Sequence, residues 1–373
     1  MANVHFLTGF PGFLGRRLLS RLLEVDRKSR VSVLVQGRWS KEAKKALHAL
    51  PAAQASRVRV LVGDVADMHL GLSGEEYRRL AAEVTHVHHL AAITRLDADR
   101  EAIERVNVGG TRNILELGRD AENLLRIGHV STVQVAGDRQ GVVDEDELAE
   151  GQRFRNAYEE SKFRAEVLVR KSMEELPISV FRPSTMIGDA ATGEIDRRAG
   201  PYSLAVQLVT SPLRVPLPLP GDGAFPFNVV PSDFVADAMI ELSRRPEAKG
   251  RTFHLVDPNP TSARKVYERI AEKAGRKPLR LGLPARASAA LLRLPMLEKL
   301  VGHQHATYDH LAQIVIFNCR NTLELLDGTG IRCPPLDSYL DRLVGFVQRQ
   351  AAEERAQRRQ LDELDEDPLV PTA

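Results

Sequence analysis

Tyr158 and Lys162 stand four residues apart in Tyr158-Glu159-Glu160-Ser161-Lys162. On a helix that spacing puts a phenol and an ammonium on one face. A phenol whose ordinary pKa is about 10 is a poor acid–base group at neutral pH unless a cation stabilises its phenolate. Lys162 supplies such a cation and can also reach a nicotinamide ribose. Thr132, closing His129-Val130-Ser131-Thr132, can hydrogen bond the same substrate oxygen as Tyr158. The trio then suits proton transfer at a carbonyl, with Tyr158 as general acid in reduction and general base in reverse. The competing reading is a chance Tyr-x-x-x-Lys on an amphipathic helix, its tyrosine packed and its lysine solvated. Upstream context decides between the two.

That context is Thr8-Gly9-Phe10-Pro11-Gly12-Phe13-Leu14-Gly15. Glycines are needed where a chain turns sharply, where backbone approaches phosphate, and where a helix packs on its strand. The helix that follows offers unpaired N–H groups to a pyrophosphate. The spacing differs from G-x-G-x-x-G, and a tight turn with close packing is the alternative. An apolar strand before the loop and an amphipathic helix after it favour dinucleotide binding. The second strand ends Val35-Gln36-Gly37-Arg38, without the carboxylate that bonds a ribose 2′-hydroxyl in NAD sites. Arg38, helped by Arg16, can grip a 2′-phosphate, so NADP is expected, with NAD as the alternative. Both arginines read equally as surface charges. Asp64, in Gly63-Asp64-Val65, can take an adenine amino group or cap a helix. Leu90, Ala91 and Ala92 end the fourth strand, where small residues let a cofactor lie against a sheet.

These groups need a scaffold, and the hydrophobic pattern supplies one. Strands are expected at Val4–Thr8, Arg30–Gln36, Arg57–Val62, Val84–Ala91, Leu125–Thr132, Ile178–Arg182 and Arg251–Val256. Helices are expected at Gly12–Val25, Ala102–Gly118, Ala157–Glu175 and Ser232–Ser243, the last capped by Ser232. Strand–helix alternation implies an α/β fold with a doubly wound parallel sheet. The expected organisation is a dinucleotide-binding domain over 1–195, completed by about 227–258. A smaller, mostly helical substrate-binding part follows from 196–226 and 259–347, with one helix near Tyr202–Val209, and a frayed, disordered tail over 348–373.

The 52 basic and 50 acidic residues leave a net charge of +2, too small for a field that attracts nucleic acid. Two cysteines, Cys319 and Cys333, build no disulfide framework, although counting leaves a single bridge open. No secretory signal and no run of ~20 apolar residues stands out, so a soluble, cytoplasmic protein is expected. His303, His305 and His310 lack the spacing of a metal site, and no metal is expected.

Taken as a set, these pieces resemble the extended short-chain dehydrogenase/reductase family. The match runs through Thr8-Gly9-x-x-Gly12-x-x-Gly15, Gly63-Asp64-Val65, His89-Leu90-Ala91-Ala92, Asn107-Val108-Gly109-Gly110-Thr111, Ser131-Thr132, Tyr158-x-x-x-Lys162 and Arg182-Pro183-Ser184. The resemblance spans roughly residues 3–260. It implies a Rossmann-type fold, Thr132, Tyr158 and Lys162 as catalytic trio, and Arg182-Pro183-Ser184 beside the nicotinamide. Asn107 matches a family position for which a structural cap or a backbone bond is the expected role.

Gly12-Phe13-Leu14-Gly15, Val87-His88-His89 and His129-Val130-Ser131-Thr132 look like the thioester reductase and fatty acyl-CoA reductase branch. That branch implies NADPH-dependent reduction of an acyl thioester to aldehyde or alcohol. The aliphatic stretch Ala287–Leu297 reads as core, with an acyl tunnel or peripheral membrane contact as alternatives. The expected partner is a small, apolar acyl substrate, and a homo-oligomer stays open. Rival readings are an NAD-dependent sugar-nucleotide epimerase or dehydratase, a hydroxysteroid-type dehydrogenase, and a cofactor sensor without catalysis.

Overall fold

A computed structural model describes residues 2–95, 98–195, 223–273, 275 and 314–365. The expected helix at 202–209, the stretch 287–297 and the histidines at 303, 305 and 310 lie outside the described residues. In chain order the strands are β1 (Val4–Thr8), β2 (Arg30–Val35), β3 (Val58–Val62), β4 (His86–His89), β5 (Arg126–Val130) and β6 (Gly141–Val143). They continue with β7 (Ile178–Pro183), β8 (Thr185–Met186), β9 (Val229–Val230), β10 (Thr252–Leu255) and β11 (Val315–Phe317). Seven of them form one sheet in the order β10-β7-β5-β4-β1-β2-β3, every pairing parallel. Strand order reverses between β1 and β4, so a crevice opens at their carboxyl ends, where doubly wound folds bind ligands.

Both faces of the sheet are covered, which explains the near-continuous apolar strands. Along the chain α1 (Phe13–Val25) is followed by the short α2 (Ser40–His48) and α3 (Ala52–Ala55); on one face lie α1 and the helix Ser232–Arg244. Leu18, Leu19, Leu22 and Leu23 of α1 meet Val235, Ala238, Met239 and Leu242 there. Each fully buried leucine contributes roughly 1.5–3 kcal/mol of apolar burial. The other face carries α4 (Gly74–Glu83), α6 (Gly110–Asp120) and α7 (Ala157–Lys171), with Tyr77, Leu80, Ile114, Leu117 and Val169 in its core. Asn156 caps α7 by accepting from the Glu159 N–H at 2.9 Å, and Glu159 and Glu160 in the first turn suit the helix dipole. A third apolar cluster joins Val266 and Ile270 of Ala263–Lys273 to Leu340, Leu343 and Val347 of Leu340–Asp365.

Several expectations need correction. The helix expected over 102–118 forms, but not as one uniform α-helix: α5 (Arg100–Glu104) runs into α6 through a π-helical turn over Arg105–Gly109. The wide turn carries Asn107 inward to bonding partners that α-helical periodicity does not reveal. Ser232 is not the cap of its helix: Pro231 occupies that position, and the Ser232 hydroxyl is buried without a partner among the described residues. Besides its helices, the mostly helical C-terminal part contributes one short strand, β11, which pairs in parallel with β6. The helix expected to fray beyond 348 runs on to Asp365.

Candidate active site

The loop between β1 and α1 closes on itself. Gly9 has φ +85°, and a Cβ there would lie 2.9 Å from the Leu90 backbone. A Cβ on Gly12 or Gly15 would lie 2.7 Å from the Gly9 carbonyl oxygen. No larger residue fits, so loop, helix and β4 exit form one tight cradle. The first turn of α1 holds no acidic residue, and its Gly12 cap makes no side-chain hydrogen bond. Its leading N–H groups are therefore left for an anion. The cradle fits a dinucleotide pyrophosphate, and backbone does the holding. Phe10, Phe13 and Leu14 turn their side chains into the protein.

Thr8, expected as a cofactor ligand, also ties two strands together. Its buried hydroxyl lies 2.9 Å from His89 Nδ1 and accepts from the Leu90 and Ala91 N–H groups, each at 3.1 Å. It therefore splices β1 to the exit of β4, and holds Leu90 and Ala91 where the cofactor would lie; Ala92, half-buried like them, follows directly. Val65 is buried against Gly110, and its carbonyl accepts from Asn113 Nδ2 at 2.7 Å.

At the adenine end, Gln36 donates to Asp64 Oδ2 at 2.8 Å and accepts from Arg38 Nε at 2.8 Å. Asp64 Oδ1 also accepts from the Ala66 N–H at 2.9 Å. The neighbouring short helical turn starts after Asp67, so Asp64 is not a helix cap. Arg38 is exposed and lies over the Trp39 ring, 5.7 Å from its centroid. Arg16, expected to assist Arg38, instead reaches the Pro11 carbonyl and Glu194, both at 3.3 Å.

At the catalytic end, Thr132 follows β5 and caps the turn Val133–Ala136, accepting from the Gln134 N–H at 3.3 Å. Its hydroxyl faces the phenol of Tyr158, in the first turn of α7, closely enough to favour the phenolate. Lys162, one turn on and buried, donates to the Val130 carbonyl at 2.6 Å. The trio foreseen from the sequence is thus assembled at the carboxyl end of β5. Its electrostatics differ from expectation: burial pushes the Tyr158 phenol up to about 12, only partly opposed by the Thr132 hydroxyl. Burial pulls Lys162 down to about 8, against the attraction of Glu166. Pro183 ends β7 in register with Leu255, while the Ser184 N–H donates to the Leu255 carbonyl at 3.1 Å. The Ser184 hydroxyl is buried without a partner among the described residues.

Several positioning residues escaped the sequence reading. Glu166 is fully buried behind Lys162, where it pairs with Arg182 at 2.6 Å and Arg170 at 3.0 Å, and accepts from Ser131 Oγ at 2.6 Å. Its place four residues after Lys162 on the same helix face was the available signal. Arg182, expected beside the nicotinamide, is instead buried in this pair and also bonds His254 Nε2 at 3.1 Å. Glu145, pushed up to about 7 by burial, accepts from the backbone N–H of His254 at 2.8 Å and of Asn321 at 2.6 Å. Asn107 does take the backbone role expected of it: it accepts from the Ile93 N–H at 2.7 Å and donates to Ser161 Oγ at 2.9 Å. Ser161 in turn donates to the Tyr158 carbonyl at 2.8 Å, steadying the catalytic turn. Cys319 and Cys333 are free thiols, and burial raises both.

The family described as Male sterility protein matches residues 7–239. The chain is similar to a linear gramicidin synthase of Brevibacillus parabrevis, 28% identical over 280 residues, covering 72% of this chain and 5% of that protein. It is also similar to fatty acyl-CoA reductase wat of Drosophila melanogaster, 26% identical over 277 residues, covering 63% of this chain and 53% of that one. The chain thus spans about half or less of the length of these curated relatives. Among solved structures, the terminal R domain from the myxalamid PKS-NRPS biosynthetic pathway superposes with a TM-score of 0.79 at 27% identity, covering 94% of this chain and 91% of that one.

Proposed function

The chain belongs to the Male sterility protein family of NAD-binding domains, within the extended short-chain dehydrogenases/reductases, and from that premise we propose that it reduces an acyl thioester with NADPH, releasing an aldehyde. The observation that carries the reading is the meeting of the Thr132 and Tyr158 hydroxyls beside the buried Lys162, at the same carboxyl end of the sheet as the glycine cradle. A bound nicotinamide dinucleotide supplies the hydride. Thr132 and Tyr158 hydrogen bond the substrate carbonyl oxygen and orient the carbonyl carbon. Tyr158, with a pKa near 12, is protonated at neutral pH and so rests as a proton donor, the form that reduction needs. As the carbonyl carbon gains hydride, its oxygen takes the Tyr158 proton. Lys162 stabilises the phenolate left behind. The product of this step is a hemithioacetal; cleavage of its C–S bond returns the hydroxyl proton to the Tyr158 phenolate and releases an aldehyde and a thiolate, which takes a proton from solvent.

Two further observations support the finer choices. The likeness to a fatty acyl-CoA reductase and an R domain favours a thioester over a sugar or steroid. The exposed Arg38, with no carboxylate at the end of β2, favours NADPH. The test is consumption of NADPH and NADH against acyl-CoA, carrier-bound acyl, steroid and sugar-nucleotide substrates. Thioester-dependent oxidation of NADPH is expected. Turnover confined to NADH and sugar nucleotides would refute the reading.

A further inference from the structure

Gln36 stands immediately after β2 and Asp64 two residues after β3, with Val35 and Val62 paired in register. Both side chains therefore sit at the carboxyl edge of neighbouring strands, on the side where the dinucleotide crevice opens. The two ends of the Gln36 amide are chemically distinguished by what they face. Arg38 Nε can only donate and the Asp64 carboxylate can only accept, so oxygen points to the arginine and nitrogen to the aspartate. Both bonds are 2.8 Å.

The arrangement has a consequence for Arg38. Its Nε is engaged, while its terminal nitrogens take no hydrogen bond or ion pair within the described residues. Trp39 flanks the guanidinium at 5.7 Å, which limits its swing. A Cβ on Gly37 would meet nothing within 4 Å, and Arg38 is itself exposed, so the turn that carries the arginine opens to solvent. A guanidinium presented by its terminal fork is suited to a bidentate phosphate. The nearest carboxylate held by this relay, Asp64, would compete for the same fork if the two met directly.

We propose that Gln36 is the positioning residue for cofactor selection: a neutral amide that holds Arg38 by Nε and keeps its fork away from Asp64, leaving it for a ribose 2′-phosphate. The proposal rests on the NADPH reading above. Loss of the amide lets Arg38 pair with Asp64, and a carboxylate at position 36 captures the fork outright.

The experiment compares binding of adenosine 2′,5′-bisphosphate and adenosine 5′-monophosphate to the full chain by calorimetry. The wild type should prefer the bisphosphate, and Arg38→Ala should abolish the preference. Gln36→Ala should cut the affinity ratio about tenfold, the scale of one charge-assisted hydrogen bond, and Gln36→Glu should cut it further. Adding Asp64→Asn to Gln36→Ala should restore much of the ratio, because the competing carboxylate is gone; a simple packing defect would not be rescued. If the wild type shows no preference, the NADPH reading falls and this inference with it. If the wild type and Arg38→Ala behave as stated but Gln36→Ala keeps the full ratio, or the double variant shows no rescue, the role of Gln36 alone is overturned.

Discussion

At the cofactor edge, α1 and the helix Ser232–Arg244 meet across leucines, valines and alanines, and their ion pair, Arg21 to Asp237 at 2.6 Å, lies at the surface. At the catalytic edge, α7 meets β7 through Glu166 and Arg182, a pair of the same 2.6 Å length with neither side chain more than 1% exposed. Equal distances here do not mean equal consequences. A charge in water loses little when its partner leaves, whereas a charge inside the protein has no solvent to replace that partner. The cofactor edge is therefore held by apolar area, with polar groups left to address the ligand. The catalytic edge depends on complete pairing of buried charges around Lys162.

The largest expected effect follows from breaking the buried pair. Glu166→Gln leaves the Arg182 guanidinium buried without its anion, and should cost roughly 3–5 kcal/mol in urea unfolding. A loss no greater than that of a surface pair would erase the contrast between the edges. Acid should act next, and on both edges. Burial holds His5 at about 3, His86 at about 4 and His254 at about 3. Each takes up its proton more readily once unfolded, with a value of about 6.5 there. Stability from this source is complete above pH ~6.5 and is lost as pH falls toward the folded values, by up to ~1.4 kcal/mol per pH unit per histidine. His5→Leu should flatten the acid limb of the stability profile by one such contribution, and an unchanged slope would argue that His5 is not held neutral. The smallest effect belongs to Arg21→Ala, with a cost of about 1 kcal/mol or less that shrinks in high salt.

Legibility from sequence followed the same division. The glycine loop, α1 and the Tyr158–Lys162 spacing are local patterns, and their geometry follows from strand and helix periods. The parallel, doubly wound character of the sheet followed from the alternation of strand and helix patterns, whereas the order of its strands came only with the structure. Thr8 was legible as part of a motif but not in its role, because its hydroxyl bonds groups 81 to 83 residues away. Glu145 carried no local signal at all: its bond to Asn321 spans 176 residues. The π turn at Asn107 was hidden because helical periodicity assumes uniform turns. The rise of the Tyr158 pKa was missed for a related reason, since spacing reveals the neighbouring cation and not the depth of burial.

The central claim is that Tyr158 is the proton donor of a thioester reduction. It is tested most directly by Tyr158→Phe, assayed for NADPH oxidation with an acyl-CoA while NADPH binding is followed separately. The account predicts a fall in kcat of ~10²–10⁴-fold, with a far smaller change in cofactor affinity. A variant that turns over thioester at close to the wild-type rate would contradict it.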